Sequence, residues 1–134
     1  MAAAYQEGRL PILVDTRTPP EFAGDCYDYL PRKGRLPGAL LFPFSDLFDG
    51  PHRYAGRRTY LTRLPAGLRS GDGGRPRQGA AGKGVVAYCE VGVRASLMAL
   101  LHEAYAGEVV GVFDGSLIEW ALHADLPVHG PPML

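Results

Sequence analysis

Short apolar runs alternate with segments of helical periodicity along this chain. The run at 84–88 begins at a glycine and is otherwise continuously apolar, which is typical of a buried parallel strand. Similar runs at 11–15, 40–42 and 108–113 predict three further strands. Strands that alternate with helices favour an α/β fold with a parallel sheet, in which functional sites gather beyond the carboxyl ends of the strands.

The longest helical pattern covers residues 95–105, where five apolar side chains fall on one helical face. These side chains are Leu97, Met98, Leu101, Ala104 and Tyr105. Shorter helical segments are predicted within 16–24, 44–48, 60–68 and 117–122. Ser45 is the expected N-cap of the helical turn at 44–48, because its hydroxyl can accept a hydrogen bond from an unpaired amide.

Cys89 directly follows the strand at 84–88, and a short loop that contains Gly92 joins it to the helix at 95–105. We therefore expect its thiol at the carboxyl end of a strand, facing the beginning of a helix. Unpaired amide groups and the helix dipole stabilise negative charge there, which favours the thiolate, the nucleophilic form of cysteine. The pattern predicts a catalytic cysteine.

The composition favours a single small domain in a reducing compartment. The chain has 134 residues, of which 46% are hydrophobic, enough for a core of its own. No apolar run approaches the ~18 residues of a membrane helix, and the N-terminus does not resemble a signal peptide. Cys26 and Cys89 lack metal-ligand spacing, so we expect no metal, no disulfide scaffold and a cytoplasmic protein. Cys26 lies in a predicted loop and is expected to be dispensable.

A formal net charge of zero conceals a basic segment. Residues 51–83 carry eight Lys or Arg against one acid, so this segment could attract an anionic substrate or partner. A solvated helix followed by a flexible loop at 70–84, rich in Gly, Arg and Pro, is the simpler interpretation. The basic residues are not interleaved with aromatic ones, so no nucleic acid is expected as a partner.

Four motifs occupy the predicted strand ends and turns. They are Leu13–Arg17 with Glu21-Phe22, Gly34–Ala39, Tyr88–Ser96, and Phe113–Ser116 with Glu119-Trp120. Their order and spacing resemble the rhodanese domain of the sulfurtransferase family, and the ending 125–128 resembles the catalytic halves of two-domain thiosulfate and mercaptopyruvate sulfurtransferases. We therefore expect a single rhodanese domain over 1–134, with its core at 11–128.

The resemblance implies a central parallel five-stranded sheet flanked by helices. The segment before Pro11 is short for the family. The sheet could therefore lack an edge strand, and a second rhodanese domain could be a partner. The implied activity needs no cofactor. Cys89 would take a sulfane sulfur from a small anionic donor such as thiosulfate or 3-mercaptopyruvate, become a persulfide, and pass the sulfur to cyanide or a thiol.

The resemblance also implies a substrate-binding set around Cys89. Its members are Arg17, which would bind the anionic donor, and the loop residues Glu90, Val91, Gly92, Val93 and Arg94. Gly92 would let the loop curl around the sulfur. For Arg17 the alternative is a structural ion pair that fixes its own loop. For Arg94 we favour a structural role, in which it faces an acid such as Asp15 or Glu21, over contact with the substrate. Asp114, Gly115, Ser116 and Trp120 are expected to serve packing and turns.

The loop departs from the thiosulfate enzymes of the family. Glu90 and Val91 stand where those enzymes carry basic residues, and an acid beside the nucleophile opposes both thiolate formation and the binding of an anion. Arg35 replaces the histidine that many relatives carry before the Pro-Gly turn, which we interpret as structural variation. Four residues separate Cys89 from Arg94, whereas cysteine phosphatases of related fold have five. A noncatalytic rhodanese-like binding module is the alternative function.

Overall fold

The computed structural model describes residues 5–8, 10–25, 32–68, 84–123 and 125–129. Within these ranges four strands form one parallel sheet: β1 (Ile12–Asp15), β2 (Leu40–Leu41), β3 (Val85–Tyr88) and β4 (Gly111–Val112). Four α-helices flank it: α1 (Pro19–Ala23), α2 (Arg57–Arg63), α3 (Val93–Ala106) and α4 (Ser116–Trp120). Two 3₁₀ turns lie at Phe44–Leu47 and Ala66–Leu68. The predicted α/β class is confirmed.

The strand order is β2-β1-β3-β4, and all three pairings are parallel, so the four carboxyl ends lie at one edge of the sheet. Asp15, the last residue of β1, lies opposite Tyr88, the last residue of β3. The backbone contact continues past the strands, where the Thr16 N–H donates to the Tyr88 carbonyl oxygen at 3.0 Å. This register brings the segments that follow β1, β3 and β4 together at the edge where a site is expected.

Alternate side chains of the central strands enter two separate hydrophobic clusters. Val14 and Ala87 belong to the cluster that also contains residues of α2 and α3. Leu13 and Tyr88 belong to the second cluster, with Leu117, Trp120, Leu36 and Leu126. A strand buried on both faces produces this alternation, which explains why its sequence is continuously apolar.

The buried face of α3 differs in part from the prediction. Met98 and Leu101 are buried as expected, but Ala104 is exposed and His102 is buried. The His102 ring nitrogen Nδ1 lies 2.9 Å from the hydroxyl oxygen of Tyr60 on α2. The apolar pattern missed His102 because its burial depends on a hydrogen-bonding partner from a distant segment.

Two predictions about helical segments were wrong in detail. Ser45 is not the N-cap of the turn at Phe44–Leu47; Pro43 holds that position, and no side chain there makes a capping hydrogen bond. The helix predicted at 60–68 is divided into α2 and a 3₁₀ turn, because Pro65 disfavours helical backbone at the residue before it.

The last strand is also shorter than the predicted run at 108–113. It consists of Gly111 and Val112 at one edge of the sheet, and both residues are exposed, whereas a buried strand was expected. The sheet of the described residues has four strands, one fewer than the five that the family resemblance implied. Cys26 and most of the loop predicted at 70–84 lie outside the described residues. No helix in the described ranges is long and apolar enough to span a membrane.

The burial of His102 leads to a prediction about pH. Burial lowers the pKa of His102 to about 4, from an ordinary value of 6.5, because the charged ring would lose its hydration. As the pH falls below 6.5 the unfolded chain binds this proton and the folded chain does not. The free energy of unfolding should therefore be fully retained above about pH 7 and should fall, by up to about 3 kcal/mol, on approach to pH 4.

Urea unfolding of the wild type and of His102→Asn, at about pH 7 and about pH 5, measures this contribution. The asparagine variant should be less stable at the higher pH and should lose less stability between the two. An equal loss in both proteins would contradict the assignment to His102.

Candidate active site

Cys89 leaves β3 with its sulfur against the beginning of α3. The Gly92 N–H donates to Cys89 Sγ, with an N···S distance of 2.9 Å, and Cys89 is 1% exposed. Helix α3 begins at the next residue, Val93, and is 14 residues long. The sulfur therefore lies beside the first amides of a long helix, where backbone dipoles favour negative charge. This is the position that the sequence predicted for the thiol.

Gly92 allows this contact through its backbone conformation. Its φ of 101° lies in the left-handed region, which residues with a Cβ rarely adopt. A Cβ at this position would also lie 3.1 Å from the carbonyl oxygen and 3.3 Å from the Cα of Asp114. Position 92 therefore requires glycine for two reasons. Glycine can turn its N–H toward the sulfur, and it can pack against the segment that follows β4.

Ser116, in the segment that follows β4, forms a hydrogen bond with the backbone of Cys89. Its hydroxyl oxygen accepts a hydrogen bond from the Cys89 N–H at 3.2 Å, and the hydroxyl donates to the Phe113 carbonyl at 2.7 Å. The Leu117 N–H donates to the Cys89 carbonyl, and the Ile118 N–H donates to the Glu90 carbonyl, both at 3.1 Å. Both backbone hydrogen-bonding groups of Cys89 are thus fixed by the segment where α4 begins.

This role of Ser116 was not predicted from the sequence, which indicated only packing and turn roles for this residue. The sequence did contain a signal, because a hydroxyl residue follows Asp-Gly at the end of a predicted strand. Ser116 also has a positive φ of 51°, which is unusual for a residue other than glycine. Its side-chain hydrogen bonds compensate for that backbone strain.

Arg17 lies in a buried ion pair with Asp15. Its Nε is 2.9 Å from Asp15 Oδ1, its NH2 group is 2.6 Å from Oδ2, and the same group binds the Gly34 carbonyl. Burial alone would lower the pKa of Arg17, but the hydrogen bonds and charge of Asp15 outweigh it and raise that pKa. The structure therefore places Arg17 as the ion-pairing alternative described it, and its guanidinium is buried.

Tyr88 joins the same network one residue before Cys89. Its hydroxyl donates to Asp15 Oδ2 at 2.8 Å and accepts a hydrogen bond from the Leu36 N–H at 3.0 Å. Burial and the negative charge of Asp15 raise the pKa of Tyr88 well above 10, so the phenol stays neutral and keeps its donor. This anchor fixes the end of β3, from which the Cys89 loop departs.

Arg94, on the first turn of α3, pairs with Glu21 on α1. Its two terminal nitrogens lie 2.8 and 2.9 Å from the two carboxylate oxygens of Glu21. Thr18 donates to the same carboxylate through its N–H and its hydroxyl, at 3.1 and 3.0 Å. Burial would raise the pKa of Glu21, but these hydrogen bonds and the charge of Arg94 outweigh it and lower that pKa. Arg94 thus follows the structural alternative and ties α1 to the start of α3.

The remaining residues of the predicted set form the outer side of the loop. Glu90 is partly buried, whereas Val91 and Val93 are 52% and 73% exposed. The structure therefore brings together Cys89, Glu90, Val91, Gly92 and Val93. Arg17 and Arg94 instead form structural ion pairs. Within the described part of the chain, no group of three or more His, Cys, Asp or Glu residues could hold a metal ion.

Comparisons with known proteins agree with this architecture. A family model described as a rhodanese-like domain matches residues 1–123. The chain is 29% identical over 119 residues to "Thiosulfate/3-mercaptopyruvate sulfurtransferase 1, mitochondrial" of Arabidopsis thaliana; the match covers 86% of this chain and 28% of that protein.

Two solved structures show the same fold. One is the enzyme EanB with a cysteine persulfide and ergothioneine, with a TM-score of 0.75, 20% identity, and coverage of 98% of this chain and 31% of that one. The other is the anaerobic ergothioneine biosynthesis enzyme of Chlorobium limicola in complex with trimethyl histidine, with a TM-score of 0.69 and 21% identity over 90% of this chain and 28% of that one. The chain spans less than a third of the length of these relatives.

Two substitutions at Ser116 separate its hydrogen bonds from its backbone strain. Ser116→Ala removes the partner of the Cys89 N–H and keeps the positive φ, so the free energy of unfolding should fall by about 1–2 kcal/mol. Ser116→Gly removes the same partner but relieves the strain, and should be about 1 kcal/mol less destabilising than alanine. Urea unfolding measures both; an alanine variant as stable as the glycine variant would contradict this account.

Proposed function

This chain belongs to the rhodanese-like domain family, and we propose that it is a sulfurtransferase in which Cys89 carries the transferred sulfur as a persulfide. The observation that carries the proposal is the hydrogen bond from the Gly92 N–H to Cys89 Sγ at the start of α3. A backbone amide and the helix dipole would stabilise a thiolate or a persulfide anion at this position.

The proposed reaction has two displacement steps. The Cys89 thiolate attacks the terminal sulfur of a donor such as thiosulfate or 3-mercaptopyruvate; a sulfur–sulfur bond forms, and the rest of the donor leaves with its electron pair. Cyanide or a thiol then attacks the outer sulfur of the persulfide and releases the Cys89 thiolate. The sulfur moves between two nucleophiles, so the protein needs no cofactor for either step.

The fixed position of Cys89 supports this chemistry. Ser116 binds the backbone N–H of Cys89 and Leu117 binds its carbonyl, so the sulfur keeps its place when a second sulfur is added. The residue is 1% exposed, which suits a donor that presents its transferable sulfur as a narrow terminal atom.

The relatives support the class of reaction. One is named a thiosulfate/3-mercaptopyruvate sulfurtransferase, and one similar structure is of EanB with a cysteine persulfide. Because this chain spans less than a third of either protein, the proposal concerns the sulfur-carrying step of this domain. A second rhodanese domain is a proposed partner by analogy with two-domain sulfurtransferases.

The first test is the covalent state of Cys89. Incubation with thiosulfate or 3-mercaptopyruvate, followed by mass spectrometry under nonreducing conditions, should show one added sulfur atom on the peptide that contains Cys89. Cys89→Ser should lose sulfur transfer, because a hydroxyl cannot carry a sulfane sulfur. Cys26→Ala is the matched control and should keep both the adduct and the activity.

Turnover near the wild-type rate in Cys89→Ser would overturn the mechanism. A wild-type protein that forms no adduct with any sulfur donor would favour the noncatalytic rhodanese-like module instead. A disulfide between the two cysteines as the main product of oxidation would point to redox sensing.

A second test concerns the charge of Glu90. Because a carboxylate next to the nucleophile repels an anionic donor, Glu90→Gln should raise kcat/KM for thiosulfate by about two- to fivefold at low salt. The gain should shrink as the ionic strength rises, since salt screens a partly solvated charge. Steady-state kinetics over a salt series decide this; equal values for both proteins at every ionic strength would show that Glu90 does not act on the donor.

A further inference from the structure

Three exposed apolar side chains lie around the Cys89 loop. Val91 and Val93 lie on either side of Gly92, the residue whose N–H contacts the sulfur, and are 52% and 73% exposed. Ile118, which is 38% exposed, lies beside the same loop because its N–H donates to the Glu90 carbonyl at 3.1 Å. We refer to Val91, Val93 and Ile118 as the apolar rim.

Both arginines that the family resemblance assigned to a donor are engaged by carboxylates. Arg17 is buried against Asp15, and Arg94 gives both terminal nitrogens to Glu21. Their charges are balanced within the fold, and Glu90 is an acidic residue of the loop itself. A doubly charged donor such as thiosulfate would lose part of its hydration against the apolar rim of an acidic loop, which opposes its binding.

We propose that the preferred donor is an organic sulfane-sulfur compound whose leaving group carries an apolar substituent, and that Val91 determines this specificity. The inference rests on the proposed function of Cys89. The apolar group would lie on the rim and lose its contact with water, which favours binding, while the terminal sulfur reaches Sγ. The absence of a second charge on the donor reduces the repulsion by Glu90.

A thiosulfonate, R–SO2–S⁻, is a donor of this class, and its transfer step forms one bond and breaks one. The Cys89 thiolate attacks the terminal sulfur, and a bond forms between the two sulfurs. The bond from that sulfur to the sulfonyl sulfur breaks, and the sulfinate R–SO2⁻ leaves with the electron pair. If Cys89 begins as a thiol, its proton goes to solvent.

Three donors that transfer the same sulfur atom separate charge from apolar contact. Thiosulfate is a dianion, methanethiosulfonate is a monoanion with a small group, and benzenethiosulfonate is a monoanion with a large apolar group. With cyanide as the acceptor and thiocyanate as the product, kcat/KM should be at least about tenfold higher for benzenethiosulfonate than for methanethiosulfonate. Methanethiosulfonate should in turn exceed thiosulfate at low salt.

Substitution of Val91 tests the rim directly. Val91→Ser should lower kcat/KM for benzenethiosulfonate by about three- to tenfold and leave methanethiosulfonate nearly unchanged. Val91→Lys should raise the value for thiosulfate, because it restores a cation to the loop. Val109→Ser is the matched control: Val109 is 74% exposed, but it precedes β4 and so lies toward the amino-terminal edge of the sheet.

The outcomes distinguish this inference from the function on which it rests. A Cys89 persulfide that forms equally well from thiosulfate and benzenethiosulfonate, with no effect of Val91→Ser, would overturn the donor class and leave the sulfurtransferase proposal standing. A Cys89 that accepts sulfur from none of the three donors would overturn both. A loss of benzenethiosulfonate preference in Val91→Ser but not in Val109→Ser would support the specificity role of Val91.

Discussion

The buried carboxylate of Asp15 is the group on which the carboxyl edge of the sheet depends. It accepts hydrogen bonds from the guanidinium and the backbone N–H of Arg17 and from the hydroxyl of Tyr88. Through Tyr88, whose oxygen also accepts the Leu36 N–H, one carboxylate connects β1, β3 and the segment that precedes β2. Removing one partner of such a buried pair costs about 3–5 kcal/mol, because the other charge is left without compensation. The Cys89 loop therefore departs from a rigid point.

Arg17 and Arg94, two arginines near the Cys89 loop, both form ion pairs within the fold. Arg17 stabilises the edge of the sheet and Arg94 joins α1 to α3 through Glu21. The group that contacts the Cys89 sulfur is instead the N–H of Gly92. A backbone amide held in place before the reaction stabilises developing negative charge without reorganising, and it does not require the substrate to be an anion.

Two loops at adjacent strand ends determine one another's conformation. The loop after β3 favours glycine at position 92 because its φ is positive and because a Cβ there would lie closer to the Asp114 backbone than ordinary van der Waals contact allows. The segment after β4 in turn places Ser116 in a strained backbone conformation, where its hydroxyl receives the Cys89 N–H. The strained backbone of Ser116 is compensated by the hydrogen bonds of its hydroxyl, and Cys89 lies between the two loops.

The sequence by itself determined the alternation of strands and helices, the position of Cys89 between β3 and α3, and the membership of the family. These features follow from local periodicity and short motifs, and local patterns persist in the folded chain. The tertiary structure decided which partners Arg17 and Arg94 take, why Ser116 matters, and that His102 is buried beside Tyr60. Each of these depends on segments far apart in sequence that meet only when the sheet forms. The identity of a polar residue does not specify its hydrogen-bonding partner, so its role is decided by packing.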